Sequence, residues 1–301
     1  MAKLAILIPS RNEEFLQKTV EDIFEHSEAD TEVIIGLDGH VNSFSQKDLP
    51  ADRLKILFRP VMGQRAMTNR LAKLTNAEYI MKVDAHRSFS KGFDVEMLKD
   101  MDKNTILAPR MMNLHAYDWN CPEHLRTYQG KKCCDKAEKV IVWQPKNKPL
   151  MSNYVFDSNM IFQYADEQKK EELTETMCLQ GSAWMVSRET YWELDLSGED
   201  FGSWGQQGVE LGCKMWLSGG RVLTTNKADY AHLFRKEDEF PYQRDMKQVD
   251  HANTHCRELF LGNKWDKQTC SIQSLIEQFN YPCDWTKENV DKLCKPFRKD
   301  V

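Results

Sequence analysis

Apolar and polar positions alternate in blocks over the first third of the chain. Leu4–Ile8 is an apolar run closed by Pro9, and Phe15, Val20, Ile23 and Phe24 follow near helical spacing. Glu32–Leu37, Leu54–Phe58, Tyr79–Val83 and Thr105–Ala108 repeat the apolar run, and a helical segment over Arg65–Leu74 lies behind Gly63. Strands alternating with helices at this spacing predict an α/β fold around a doubly wound, mostly parallel sheet. Ligands bind such sheets beyond the carboxyl ends of the strands. Here those ends carry Pro9–Glu13, Asp38 and Asp84–His86. Three polar strand ends imply a nucleotide-sized site.

The pattern breaks down over residues 110–177, which are polar and read as an irregular cover for the sheet. Order returns with Leu179–Val186, a strand opening at Gly181-Ser182. A helix then carries Val209, Cys213 and Trp216 on one face and stops at Gly219-Gly220. Arg221–Thr225 reads as one strand, and a separate one ends at Tyr230–Arg235. The expected organisation is one domain over 1–236, made of a nucleotide-binding half (1–109), an insertion (110–177) and a second half (178–236). A helical extension, 237–301, is expected to pack on the same domain.

Composition narrows the class. With 301 residues the chain has enough length for a large core, and 41% hydrophobic with 29% charged residues is ordinary for a globular protein. A net charge of −5 excludes a global basic field of the kind that drives non-specific nucleic-acid binding. No apolar run approaches the ~20 residues of a membrane span, and Met1–Leu4 leads directly into a strand, so neither membrane nor signal peptide is expected. Nine cysteines without framework spacing suggest reduced thiols and a cytoplasmic protein. Cys121-x2-His124-x8-Cys133-Cys134 could bind zinc but matches no strong ligand pattern, and loop packing is the default reading.

The candidate chemistry starts at Asp84 and His86. Side chains at i and i+2 of an extended chain point the same way, and a carboxylate beside an imidazole suits Mn²⁺ or a similar ion. Taken alone, the pair also reads as a strand-terminating aspartate and a loop histidine.

Four features in order resemble the GT-A glycosyltransferases, and among them the polypeptide N-acetylgalactosaminyltransferases and related members of glycosyltransferase family 2. These are Asp84-x-His86 at a strand end, Gly181-Ser182, Trp204-Gly205-x-x-x-Val209-Glu210-Leu211, and His232-x-Phe234-Arg235. The resemblance covers about residues 4 to 236 and implies a GT-A fold, a UDP-sugar donor and Mn²⁺ (or Mg²⁺) held by Asp84, His86 and His232. It implies donor contacts from Pro9, Ser10, Arg11, Asn12, Glu13, Asp38, Arg65, Asp84, Gly181, Ser182 and Trp204. Gln207, Arg235 and Glu210 are the expected catalytic group, with Arg235 on the departing phosphate.

One departure bears on stereochemistry. The polypeptide transferases have glutamate where this chain has Gln207, and inverting family 2 enzymes place an aspartate base close to Gly208. An inverting displacement needs a carboxylate to take the acceptor proton, so retention is favoured, with Glu199-Asp200 as a substitute base if inversion operates. The acceptor hydroxyl is left open among protein Ser/Thr, a glycan and a hydroxymethylated DNA base. The DNA option needs a local basic patch from Lys131, Lys132, Arg235, Lys236, Arg244 and Lys247. A nucleotidyltransferase shares the sheet, but Pro9–Glu13 lacks the glycine-rich loop of that class. A degenerate protein that only binds nucleotide or glycan is favoured by Gln207 and opposed by the metal triad.

Overall fold

The structure, a computed structural model, describes residues 2–40, 44–165, 170–236, 239–243 and 245–297. Its first part runs β1 (Leu4–Ser10), α1 (Leu16–His26), β2 (Thr31–Asp38), β3 (Leu54–Arg59), α2 (Gln64–Ala72) and β4 (Tyr79–Val83). Next come β5 (Arg87–Phe89), α3 (Phe93–Lys99), β6 (Thr105–Cys121), β7 (Arg126–Tyr128) and β8 (Glu138–Met151). Then β9 (Tyr154–Phe156), β10 (Phe162–Tyr164), β11 (Leu173–Glu175), β12 (Ala183–Ser187) and α4 (Arg188–Glu193) follow. The chain continues through α5 (Gln207–Leu217), β13 (Arg221–His232), α6 (Met246–Phe260), α7 (Ile272–Gln278) and α8 (Lys287–Leu293).

The main sheet has the order β3-β2-β1-β4-β12-β6-β13-β11. β1 is parallel to β2 and β4, β2 to β3, and β6 to β13, while β12 runs antiparallel between β4 and β6. All of β4 and nearly all of β1 and β2 are buried. That is why these strands read as unbroken apolar runs: both faces of a parallel sheet are covered. The edge strand β3 has no fully buried residue and bears Lys55 and Arg59, charges that discourage further strand pairing.

Two expectations need correction. Residues 110–177 are not irregular. β6 is 17 residues long, and beyond its pairing with β12 and β13 it continues out of the sheet and pairs antiparallel with the 14-residue β8 to form a long arm. The register slips at three places along that pair. Such bulges break the period-2 alternation by which a sequence announces a strand, and most of β8 is too exposed to need apolar residues. In addition, Arg221–Thr225 and the strand ending near Tyr230 are one element, β13, interrupted by an irregularity between Thr225 and Asp229.

The C-terminal helices share the core of the sheet. Phe260, Trp265, Ile276 and Trp285 are buried in the same cluster as β1 and β4, and Trp285 Nε1 donates to the Phe156 carbonyl at 3.0 Å. Helix α5 is buried along its whole length. Its Gly208 is required by packing, because a Cβ there would lie 1.7 Å from the Leu179 carbonyl oxygen. Among the described residues, no helix is long and apolar enough to cross a membrane.

Candidate active site

The carboxyl ends of β1, β2 and β4 open into a cleft of about 570 Å³. Pro9, Ser10, Arg11, Glu13, Asp38, Asp84, His86 and Trp204 line it, as expected from the sequence, and Gln64 and Tyr242 line it as well. A second cleft of about 920 Å³ shares Gln64 and Trp204 with the first and adds Gly181 and Gln207. The two clefts therefore adjoin, with Gln64 and Trp204 in the walls of both.

Asp84, His86 and His232 bring one donor atom each to within 4.8 Å of one another. β4 carries Asp84 to the cleft and β13 delivers His232 opposite His86, through the β13–β5 pairing that aligns His232 with Arg87. The two imidazoles meet edge to face with centroids 5.5 Å apart, and Phe234 packs on the His232 ring at 3.9 Å. The Nδ1 atoms of His86 and His232 are buried with no hydrogen-bond partner among the described residues. Burial, and then the positive charge of Arg87 and Arg235, hold both histidines well below their ordinary value of 6.5. They are neutral and available as ligands.

Two buried cations that the sequence reading passed over grip Asp84. Lys82 Nζ bonds one carboxylate oxygen and also donates to the Gly181 carbonyl at 2.8 Å, while Arg87 donates to the other oxygen at 2.6 Å. The signal was available: Lys82 is a lysine inside an otherwise apolar strand, and lysines are almost never fully buried without a partner. Glu13 pairs with Arg235, and its carboxylate lies 3.3 Å from His86 Nδ1. Burial raises the Glu13 carboxyl above its usual value even against the Arg235 charge.

Several expected residues have other work. Asp38 is buried and accepts from Met62 N at 2.7 Å on one oxygen and from Gly63 N at 3.2 Å and the Arg11 guanidinium on the other. It shapes the cleft wall and orients Arg11. Asn12 adopts a left-handed conformation and donates to the Pro241 carbonyl at 3.0 Å. Ser182 bonds the Tyr230 hydroxyl at 3.1 Å, away from both clefts.

Arg65 and Glu210 are corrections. Neither reaches a cleft. Arg65 is buried, pairs with Glu210, and donates to the Gly205 carbonyl at 2.7 Å. The other Glu210 oxygen takes Lys214 Nζ at 2.7 Å and Gly198 N at 2.9 Å. A helix with no exposed face leaves Glu210 only charged partners of its own core, so this network fastens α2 and α5 to the loop carrying Trp204 and Gly205. The substitute base is also corrected: Glu199 accepts from Asn69 at 3.0 Å and Asp200 from His255 at 2.8 Å, and neither lines a cleft. Arg235 is mostly buried against Glu13 and lines a third cleft with Trp119 and Lys139. It therefore does not extend a surface basic patch, and Arg244 lies outside the described residues.

The fold has known counterparts. A crystal structure of GalNAc-T7 with UDP, GalNAc and Mn²⁺ superposes with a TM-score of 0.65 at 15% identity, over 97% of this chain and 56% of that one. The fold is that of the GT-A glycosyltransferases. In sequence, the chain is 23% identical over 207 residues to "Putative polypeptide N-acetylgalactosaminyltransferase 13" of Drosophila melanogaster, covering 67% of this chain. It is 22% identical over 96 residues to polypeptide N-acetylgalactosaminyltransferase 5 of Mus musculus, covering 32% of this chain. The chain spans 33% of the length of the Drosophila relative and 10% of the mouse one. No family model matches the chain.

Two predictions follow from the buried charges. Glu210→Ala leaves Arg65 and Lys214 uncompensated and is expected to cost about 3–5 kcal/mol in chemical denaturation. Asp200→Ala, which removes a largely exposed pair with His255, should cost under about 1 kcal/mol. Equal losses would show that the network does not bear on stability. The second concerns pH. Unfolded histidines take up protons below about pH 6.5 whereas folded His86 and His232 stay neutral, so the unfolded state binds more protons and stability falls with pH. Each histidine contributes up to about 1.4 kcal/mol per pH unit. Glu13, whose pKa is raised, acts in the opposite direction at lower pH. Unfolding titrations of metal-free protein at pH 6.5 and 5.5 should show a steeper loss in the native chain than in the His86→Gln/His232→Gln variant; parallel losses would refute this.

Proposed function

We propose that this protein is a glycosyltransferase that moves a sugar from a UDP-sugar to a hydroxyl acceptor, using Mn²⁺ or Mg²⁺ at Asp84, His86 and His232. The observation that carries this reading is the convergence of those three donors at the mouth of the strand-end cleft. The crystal contents of the GalNAc-T7 neighbour support UDP and Mn²⁺ as the pair to test.

The donor set fits a divalent ion. One carboxylate and two neutral imidazoles are a suitable mixture for Mn²⁺, and the buried His232 Nδ1, without a hydrogen-bond partner among the described residues, is otherwise an unexplained cost of burial. When bound, the ion supplies Lewis-acid stabilisation to the diphosphate leaving group. The chain's own residues do the rest. Glu13, held by Arg235, steadies the His86 ring, a support of the kind that orients metal ligands. Arg11, fixed by Asp38 and lying 5.8 Å over the Tyr242 ring, presents a cation to the nucleotide cleft. Gln207 lines the second cleft with a buried Nε2 that has no partner among the described residues, suited to a donor-sugar hydroxyl.

Retention of configuration is the favoured stereochemistry. Among the described residues, no carboxylate lines the second cleft, so a base for direct displacement is lacking there. The acceptor classes are protein Ser/Thr, a glycan or a hydroxymethylated base. A binding-only protein is the second reading, favoured by the uncharged Gln207.

Hydrolysis of a UDP-sugar panel with Mn²⁺ separates these readings. Turnover should fall by at least about 100-fold in Asp84→Ala. Equal turnover in both proteins would sink the metal assignment, and no turnover with any donor or acceptor would leave only binding. Charge makes a further prediction. Asp84 and Glu13 face Lys82, Arg87 and Arg235, so the cluster carries one net positive charge before any ion enters. Mn²⁺ should therefore bind weakly alone and at least about tenfold more tightly with UDP, a coupling of about 1.4 kcal/mol. Calorimetric titration with and without UDP checks this, and equal affinities would contradict it.

A further inference from the structure

The arm formed by β6 and β8 ends in a cluster that the glycosyltransferase reading does not use. Cys121 closes β6, His124 sits in the turn to β7, and Cys133 and Cys134 precede β8. Pairing of Cys121 with Arg126 and of Trp119 with Tyr128 folds the chain back, so residues 133 and 134 return to Cys121. Tyr128 accepts from Cys133 N through its hydroxyl at 2.7 Å, and Gly130 accepts from Trp119 Nε1 at 2.9 Å, which fixes the loop between them.

The four donor atoms have the spacing of a tetrahedron. Cys121 Sγ lies 3.1 Å from His124 Nδ1 and 3.5 Å from Cys134 Sγ. Cys133 Sγ lies 3.4 Å from His124 Nδ1 and 3.9 Å from Cys134 Sγ, and Cys134 Sγ is 3.9 Å from the same nitrogen. The sixth separation is within 4.8 Å. Zinc–sulfur bonds of about 2.3 Å and zinc–nitrogen bonds of about 2.0 Å give tetrahedral edges of about 3.5–3.8 Å. The sulfur separations are too long for a disulfide, whose bond is about 2.05 Å.

We propose that Cys121, His124, Cys133 and Cys134 form a closed structural zinc site that ties the β6–β7 hairpin to the start of β8. Three thiolates and an imidazole are a soft, four-coordinate set that selects zinc and leaves no open position for catalysis. Three thiolates around a divalent ion carry one net negative charge, and Lys131, Lys132 and Lys136 lie beside it in the chain. The tip also needs a staple. Pro122 to Thr127 are exposed, Leu125 at 89%, so burial supplies little to hold this turn. The lack of a Cys-x-x-Cys spacing hid the site, because β7 rather than a tight knuckle brings the ligands together. The proposal does not rest on the glycosyltransferase reading.

The test uses the full chain, expressed with a tag free of histidine and dialysed against a weak chelator. Elemental analysis should find one zinc per chain, retained in Asp84→Ala and lost in Cys133→Ser/Cys134→Ser. Replacement of zinc by Co²⁺ in the native chain should give thiolate charge-transfer and tetrahedral ligand-field bands, a readout that does not depend on how well the variants fold. Mercurial titration of the thiols should release the metal stoichiometrically. Zinc absent from the native chain, zinc retained by the double variant, or a Cys121–Cys134 disulfide in the mass spectrum of the native protein would each overturn the proposal.

Discussion

A carboxylate at the end of a buried strand does not remain ionised without partners. Burial alone would push Asp84 up, but Lys82 and Arg87 more than offset this and hold its carboxyl below the usual range. Everything at the strand-end cleft follows from that triplet. Lys82 also holds the Gly181 carbonyl, which joins β4 to the loop entering β12 and so fixes the boundary between the two clefts. Arg87 also donates to the His86 carbonyl at 3.1 Å, which sets the backbone from which the imidazole projects. The same side chains that keep Asp84 charged therefore position the candidate ligands around it.

A second buried charge network shows the same constraint at work without any chemistry. Glu210 holds both Arg65 and Lys214 beneath the Trp204 loop, the Asp195 carboxylate lies 3.8 Å from Lys214 Nζ, and Phe201 covers the Arg65 guanidinium at 4.8 Å. A buried ion pair is weak evidence for stability in itself. What it supplies here is register: Arg65 reaches the Gly205 carbonyl only if α2, α5 and the loop keep one arrangement, and that arrangement sets the position of Trp204 in the walls of both clefts.

The sequence made the sheet legible wherever both faces of a strand are covered, and it lost the arm where bulges and exposure erase the period. The meeting of Asp84, His86 and His232 was legible because a carboxylate and imidazoles at strand ends are the residue types a metal site would use. Arg65 and Glu210 were misread because a buried ion pair and a solvent-facing catalytic pair draw on the same residue types. Burial, which separates the two, is a tertiary property. Lys82 shows the reverse case, a charged residue whose apolar surroundings already signalled a partner. The four residues of the cysteine cluster were visible as a possible zinc set, but their spacing favoured loop packing because it is set by a hairpin that the sequence did not reveal.

That hairpin links the periphery of the fold to the site. Phe15, at the start of α1, stacks on Tyr117 of β6 at 5.8 Å, while Trp143 of β8 donates to Asp22 of α1 at 3.0 Å. Lys139 lies 4.5 Å over Tyr117, 5.8 Å over Trp119 and 5.5 Å over Phe15. The third cleft lies between this aromatic face and Arg235, whose partner Glu13 lies beside His86. An arm this exposed cannot hold its own shape by burial. Its inner end is anchored by packing on Phe15 and its outer end closes on four donor atoms, so the position of Trp119 against Arg235 is fixed from both ends. A change at either anchor therefore bears on the wall of the third cleft, and through Glu13 on His86.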